Sequence, residues 1–197
     1  AEDGSDAALT TAAAEHPVLS AWQARFEQAG LPLALHADMR GVQWGKLLLN
    51  LNNPVNALSE LPLREELLTH GYRRAFAALQ SEALRVLRAA RIEPAKLTPL
   101  PPAWLPAVLR LPTPLFRLLA ARMLRIDAKA RSSMADDLAY GRQTEVDALC
   151  GEVVRMARGL NMDAPVNARM AKLVQEQGLL PQRYDAPRLL LALGLMR

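Results

Sequence analysis

Residues 42–58 read VQWGKLLLNLNNPVNAL, and the placing of polar residues in this run decides the fold class. On a helix Lys46, Asn50 and Asn53 stand at i, i+4 and i+7, so they share one face. Leu47, Leu48, Leu49 and Leu51 surround them. A helix that is apolar nearly all round except for one stripe is expected to be largely buried. Burying an amine and two carboxamides costs several kcal/mol unless each finds a partner. Pro54 has no N–H for the Asn50 carbonyl, and its ring crowds that carbonyl, so the helix is expected to kink or end there. Two readings of the stripe stay open. In one, Lys46 snorkels to solvent and the asparagines cap a broken helix. In the other the lysine is a specific requirement, since the chain uses 20 arginines against four lysines. A compact ammonium can give up a proton, whereas a guanidinium effectively cannot.

Outward from this run the chain reads as helices separated by proline-marked turns. Helices are predicted over 17–29, 39–58, 63–90, 102–110, 114–125, 130–140, 144–158 and 165–177, with another near 187–195. Residues 72–90 carry Phe76, Leu79, Ala83, Val86, Leu87 and Ala90 at steps of three and four, with arginines between them, as on an amphipathic helix. The six prolines of 97–116 predict a surface crossover of short helical pieces. LPLALHAD (31–38) is the one stretch predicted as a strand, and a lone strand implies a sheet lying mostly elsewhere.

In 131–151, RSSMADDLAYGRQTEVDALCG, Ser132 and Ser133 suit a helix start. Gly141 suits a helix end, and Thr144 an N-cap with Asp147 near the capping-box position. Glu145 then stands in the first turn, where the helix dipole favours a carboxylate. Gly151 inside the next helix points to close packing or an approaching ligand.

Composition narrows the function classes. Half the residues are hydrophobic (51%) and 22% are charged, which suits a globular chain. No uninterrupted apolar run reaches the roughly 18 residues of a transmembrane helix. The acidic N-terminus, AEDGSDAALTT, is unlike a secretory signal. One cysteine, Cys150, excludes a disulfide within the chain and fits a reducing cytosol. His16, His36 and His70 are too far apart for a helical metal-ligand pair, so no metal is expected. The net charge of +4 is spread among acidic residues, which argues against nucleic-acid binding. Arg117, Arg122 and Arg125 flank an apolar face in 114–126, a pattern of packed helices more often than of membrane-surface ones.

Together these segments resemble the C-terminal domain of the ketopantoate reductase (2-dehydropantoate 2-reductase) family. The matching pieces are WGKLLLN (44–50) with NPVNAL (53–58), SSMADDL (132–138) with TEVD (144–147), and GEVVR (151–155) with APVN (164–167). The resemblance covers 17–177. It implies a mainly α fold, an all-helical domain of the 6-phosphogluconate-dehydrogenase C-terminal-like type. Residues 1–38 would be the last helix and strand of an NADP-binding Rossmann domain, and 39–197 the helical substrate-binding and catalytic domain. The implied activity is NADPH-dependent reduction of a 2-keto acid, ketopantoate to pantoate in pantothenate biosynthesis, in the cytoplasm. Its implied partners are the small-molecule keto acid and the upstream Rossmann domain, with a homodimer left open and neither membrane nor nucleic acid involved.

Carried onto this chain, the resemblance makes Lys46 the general acid toward the carbonyl oxygen, with Asn50 holding lysine and substrate. Ser133 binds the substrate carboxylate, and Glu145 organises lysine and substrate and is the one residue here placed to touch the cofactor. Two departures stand out. Pro54 occupies the place of a substrate-contacting asparagine found in some members, for which Asn53 or Asn56 would substitute. Cys150 stands where asparagine is common. The glycine-rich dinucleotide loop has no counterpart in this sequence, so the chain alone is expected to be inactive. Two other readings are a related reductase acting on a different 2-keto acid and a non-catalytic helical dimerisation or interaction module.

Overall fold

A computed structural model describes residues 17–32, 35–36, 38–121, 124, 127, 129–177 and 183–196. Helix α1 (Pro17–Gln28) comes first. None of its described side chains is buried. The predicted strand over 31–38 is not found at Leu31, Pro32, Leu35, His36 or Asp38, while residues 33, 34 and 37 lie outside the described residues. Every described element is helical, as the proline and glycine punctuation indicated.

Helix α2 (Met39–Asn50) starts where the Asp38 carboxylate accepts from the Gly41 N–H at 2.9 Å. After a two-residue break come α3 (Asn53–Ser59), α4 (Leu63–Leu68) and α5 (His70–Ala89). The continuous helix expected over 63–90 is therefore two. Thr69 is extended, and its hydroxyl donates to the Glu65 carbonyl at 3.0 Å, competing with the helical ladder. Helix α5 is the hub. It packs against α3, α4, α6 (Leu105–Leu109), α9 (Glu152–Gly159), α10 (Pro165–Gln177) and α11 (Ala186–Ala192). Phe76, Leu79, Ala83, Val86 and Leu87 form its buried stripe as expected. Full burial of such a side chain contributes about 1.5–3 kcal/mol.

One arginine of α5 departs from the solvated face assigned to them. Arg73 is fully buried, with Nε and both Nη donating to the carbonyls of Leu109, Leu67 and Leu111 at 2.8–3.0 Å. Its guanidinium lies 4.3 Å from the Phe116 ring centroid. Arg73 thereby ties α5 to the proline-rich crossover, which consists of a short 3₁₀ turn (Pro102–Trp104), α6 and α7 (Thr113–Leu119). In α7 Phe116 is buried while Leu115, Leu118 and Leu119 are exposed; Arg122 and Arg125 lie outside the described residues. Across the bundle, the Glu82 carboxylate accepts from the Val166 and Asn167 N–H groups, capping α10. No described helix is long and apolar enough to cross a membrane.

Candidate functional site

Helix α2 buries one face, made of Gly41, Trp44, Gly45 and Leu48. The extended segment 93–97 crosses it so closely that a Cβ on Gly45 would stand 2.5 Å from the Ala95 carbonyl oxygen. The Ala95 N–H donates to the Gly41 carbonyl at 2.9 Å, fastening the crossing. Lys46 lies about 160° around the helix from both Trp44 and Leu48, so this packing turns it outward. It is exposed, and no hydrogen bond or ion pair among the described residues engages its Nζ. Leu47, Leu49, Asn50 and Asn53 are only half-buried. The run 42–58 is thus largely buried as expected, with only Gln43 and Lys46 exposed, and the polar stripe lies on its open side. Two glycines admit a backbone on one side, and the stripe faces away from it.

The helix does end before Pro54, which sits in the first turn of α3. At the break the Asn52 N–H reaches back to Leu49 at 3.2 Å instead of to Leu48. The Leu48 carbonyl takes its bond from Gln80 Nε2 of α5, at 3.0 Å. Asn52 and Asn56 are buried. Asn52 Nδ2 donates to Glu66 Oε2 at 2.9 Å. Asn56 Nδ2 donates to the Leu61 carbonyl, and its Oδ1 accepts from the Ser132 N–H, both at 2.9 Å. Asn56 is therefore committed to the framework, whereas the Asn53 side chain has no hydrogen bond among the described residues.

That same Asn56 bond brings the second constellation onto the first. Ser132 caps α8 (Ser133–Ala139), accepting from the Ala135 N–H at 3.2 Å and donating to the Asn53 carbonyl at 3.3 Å. The structural work falls to Ser132, and Ser133 is left exposed at the first helical position with no side-chain hydrogen bond among the described residues. Asn53 and the Ser132–Ser133 pair are thus neighbours. Glu145 is exposed, and no hydrogen bond or ion pair among the described residues joins it to Lys46, Asn50 or Ser133.

The cap expected at Thr144 is not found. The segment Asp147–Gly151 is a π-helical turn without a side-chain cap. Asp147 pairs instead with Arg155 at 2.8 Å, and Arg155 also holds Glu152 at 2.9 Å. The π turn brings the Asp147 carboxylate over Gly151, where a Cβ would collide with it, so the suspected close packing is intramolecular. Cys150 is fully buried, and burial pushes its thiol pKa up, which makes it a packing residue.

Chemically, the stripe offers an unpaired ammonium, two carboxamides and a neighbouring hydroxyl, the donors that a carbonyl and a carboxylate accept from. Lys46 and Ser133 are exposed, and the two asparagines are half-buried. The clefts of about 490 Å³ beside Arg88 and Arg91 and about 370 Å³ between Glu60, Arg131 and Leu138 are lined by other residues. Sequence reasoning read Ser132 as part of a helix start, which it is, but missed Asn52, Glu66 and Gln80, which hold the stripe in place. The available signal for Glu66 was its place in LREELL three residues after Leu63, on the leucine side of the helix, whereas Glu65 falls on the other side.

The family model for the ketopantoate reductase PanE/ApbA C terminal matches residues 38–178. Among solved structures, a PanE/ApbA family ketopantoate reductase from Ralstonia eutropha JMP134 is similar at TM-score 0.64 and 27% identity. The match covers 81% of this chain and 48% of that one, so this chain spans about half the length of that reductase. No curated protein matches.

Proposed function

The chain belongs to the ketopantoate reductase PanE/ApbA family through that family's C-terminal domain, and we propose that it is the substrate-binding half of an NADPH-dependent 2-keto acid reductase, with ketopantoate as substrate. In this reading residues 1–38 close a cofactor-binding Rossmann domain and 39–197 form the substrate domain. What supports it is the family match over 38–178, together with an outward Lys46 whose Nζ has no hydrogen bond or ion pair among the described residues.

Lys46 serves as general acid, giving a proton to the carbonyl oxygen as the carbonyl carbon is reduced. Asn50, one turn on, holds that oxygen and the ammonium in register. Ser133 receives the substrate carboxylate, and Asn53 takes the contact that Pro54 cannot make. Asn56 is excluded from that role by its two framework bonds. Glu145 orients Lys46 and the substrate once the cleft is complete. The residues of this chain do not fit a dinucleotide cradle, because they include no glycine-rich loop after a strand. Binding of NADPH is therefore assigned to a separate cofactor domain, which also supplies the second wall of the site.

Ketopantoate-dependent NADPH oxidation tests the division. The 197-residue chain alone is expected to give none, and fusion behind the dinucleotide-binding half of the Ralstonia eutropha reductase is expected to give turnover. Robust turnover by the chain alone would overturn the reading.

A further inference from the structure

The break between α2 and α3 rests on a side-chain pair with a leftover on each side. Asn52 Nδ2 donates to Glu66 Oε2 at 2.9 Å, yet Asn52 Oδ1 and Glu66 Oε1 are both buried and both lack a hydrogen-bond partner. Two acceptors cannot satisfy each other while Glu66 is a carboxylate. A carboxylic acid and a carboxamide, by contrast, have matching planar ends and close into a ring of two hydrogen bonds. We propose that Glu66 keeps its proton and donates it from Oε1 to Asn52 Oδ1, closing an acid–carboxamide pair that positions the break carrying Asn50 and Asn53.

The surroundings favour the neutral acid. Glu66 is fully buried, and no salt bridge among the described residues reaches it. The titratable groups that act on it come from α5, Arg73 and Tyr72; the break presents Asn52 and α3 presents Asn56, neither of them charged. Arg73 favours the carboxylate, but its bonds run to the carbonyls of Leu67, Leu109 and Leu111 and to Thr113, and none reaches Glu66. Burial outweighs the lowering influence of the Asn52 and Asn56 side chains and of the Arg73 charge, and pushes the Glu66 carboxyl up to about 8.

The direction of the pH effect follows. Between the ordinary carboxylate range and about pH 8 the folded chain holds a proton that the unfolded chain has released. The stabilisation is complete below about pH 4.5, declines as pH rises, and is gone once Glu66 ionises in the fold near pH 8. Glu66→Gln replaces the donated O–H with an N–H and keeps the pair closed at every pH.

Urea unfolding of the full 197-residue chain, wild type against Glu66→Gln, reads the energetics. Relative to the variant, the wild-type unfolding constant should rise about tenfold per pH unit between pH 5 and 8. Carbon-detected NMR of the glutamate carboxyls should show one signal titrating near pH 8 that Glu66→Gln lacks. The backbone amides of Asn50 and Asn53 should shift with that midpoint in the wild type only, which separates positioning from bulk stability. Glutamates that all titrate in the ordinary range, or Asn50 and Asn53 amides that stay still as Glu66 titrates, would overturn the proposal. The wild-type titration decides this even if the variant does not fold.

Discussion

Asn50 and Asn53 alternate in sequence with Asn52 and Asn56, yet the two pairs live in different surroundings. Asn52 and Asn56 are buried and bonded, to Glu66, Leu61 and Ser132. Asn50 and Asn53 are half-open, and their side chains are unbonded among the described residues. Ser132 and Ser133 repeat the division one residue apart. The difference teaches where chemistry can occur: a buried polar group must be satisfied internally, so only the groups left unsatisfied at the surface are available to a ligand. Lys46 belongs to that second set.

Substitutions on the two sides should therefore separate stability from activity. Asn56→Ala strands the Leu61 carbonyl and the Ser132 N–H, and is expected to cost about 2–3 kcal/mol in urea unfolding. Ser132→Ala removes the cap of α8 and the bond to Asn53, an expected loss of about 1 kcal/mol. Ser133→Ala should leave the unfolding midpoint in place and instead raise the KM for the keto acid in the fused reductase. A thermal shift from Ser133→Ala as large as that from Ser132→Ala would break the comparison.

Much of this was legible in the sequence, for reasons that particular residues show. Pro165 and the apolar spacing after it mark α10 over the predicted 165–177. Pro54 marks the end of α2, because a missing N–H is a local fact. What stayed hidden depends on distant neighbours. Gly41 and Gly45 look like weak helix formers until the backbone of 93–97 is seen lying on them. The run 42–58 is largely buried as its apolar content indicated, but periodicity could not say that the polar stripe lies on the uncovered side. Arg73 looks solvated until the crossover's carbonyls surround it. Of the candidate site, the stripe and its order were legible. The helix start at Ser132 was also legible, but its tie to Asn56 was not, because that contact joins residues 76 apart in sequence.

Proton delivery by Lys46 is read from the steady-state rate of ketopantoate-dependent NADPH oxidation. In the chain fused to a dinucleotide-binding half, both Lys46→Ala and Lys46→Arg should lower kcat by about a hundredfold or more, because neither side chain can act as the acid. Their unfolding midpoints should match the wild type, as expected for an exposed, unpaired side chain. A Lys46→Ala protein that turns over at the wild-type rate would contradict the account.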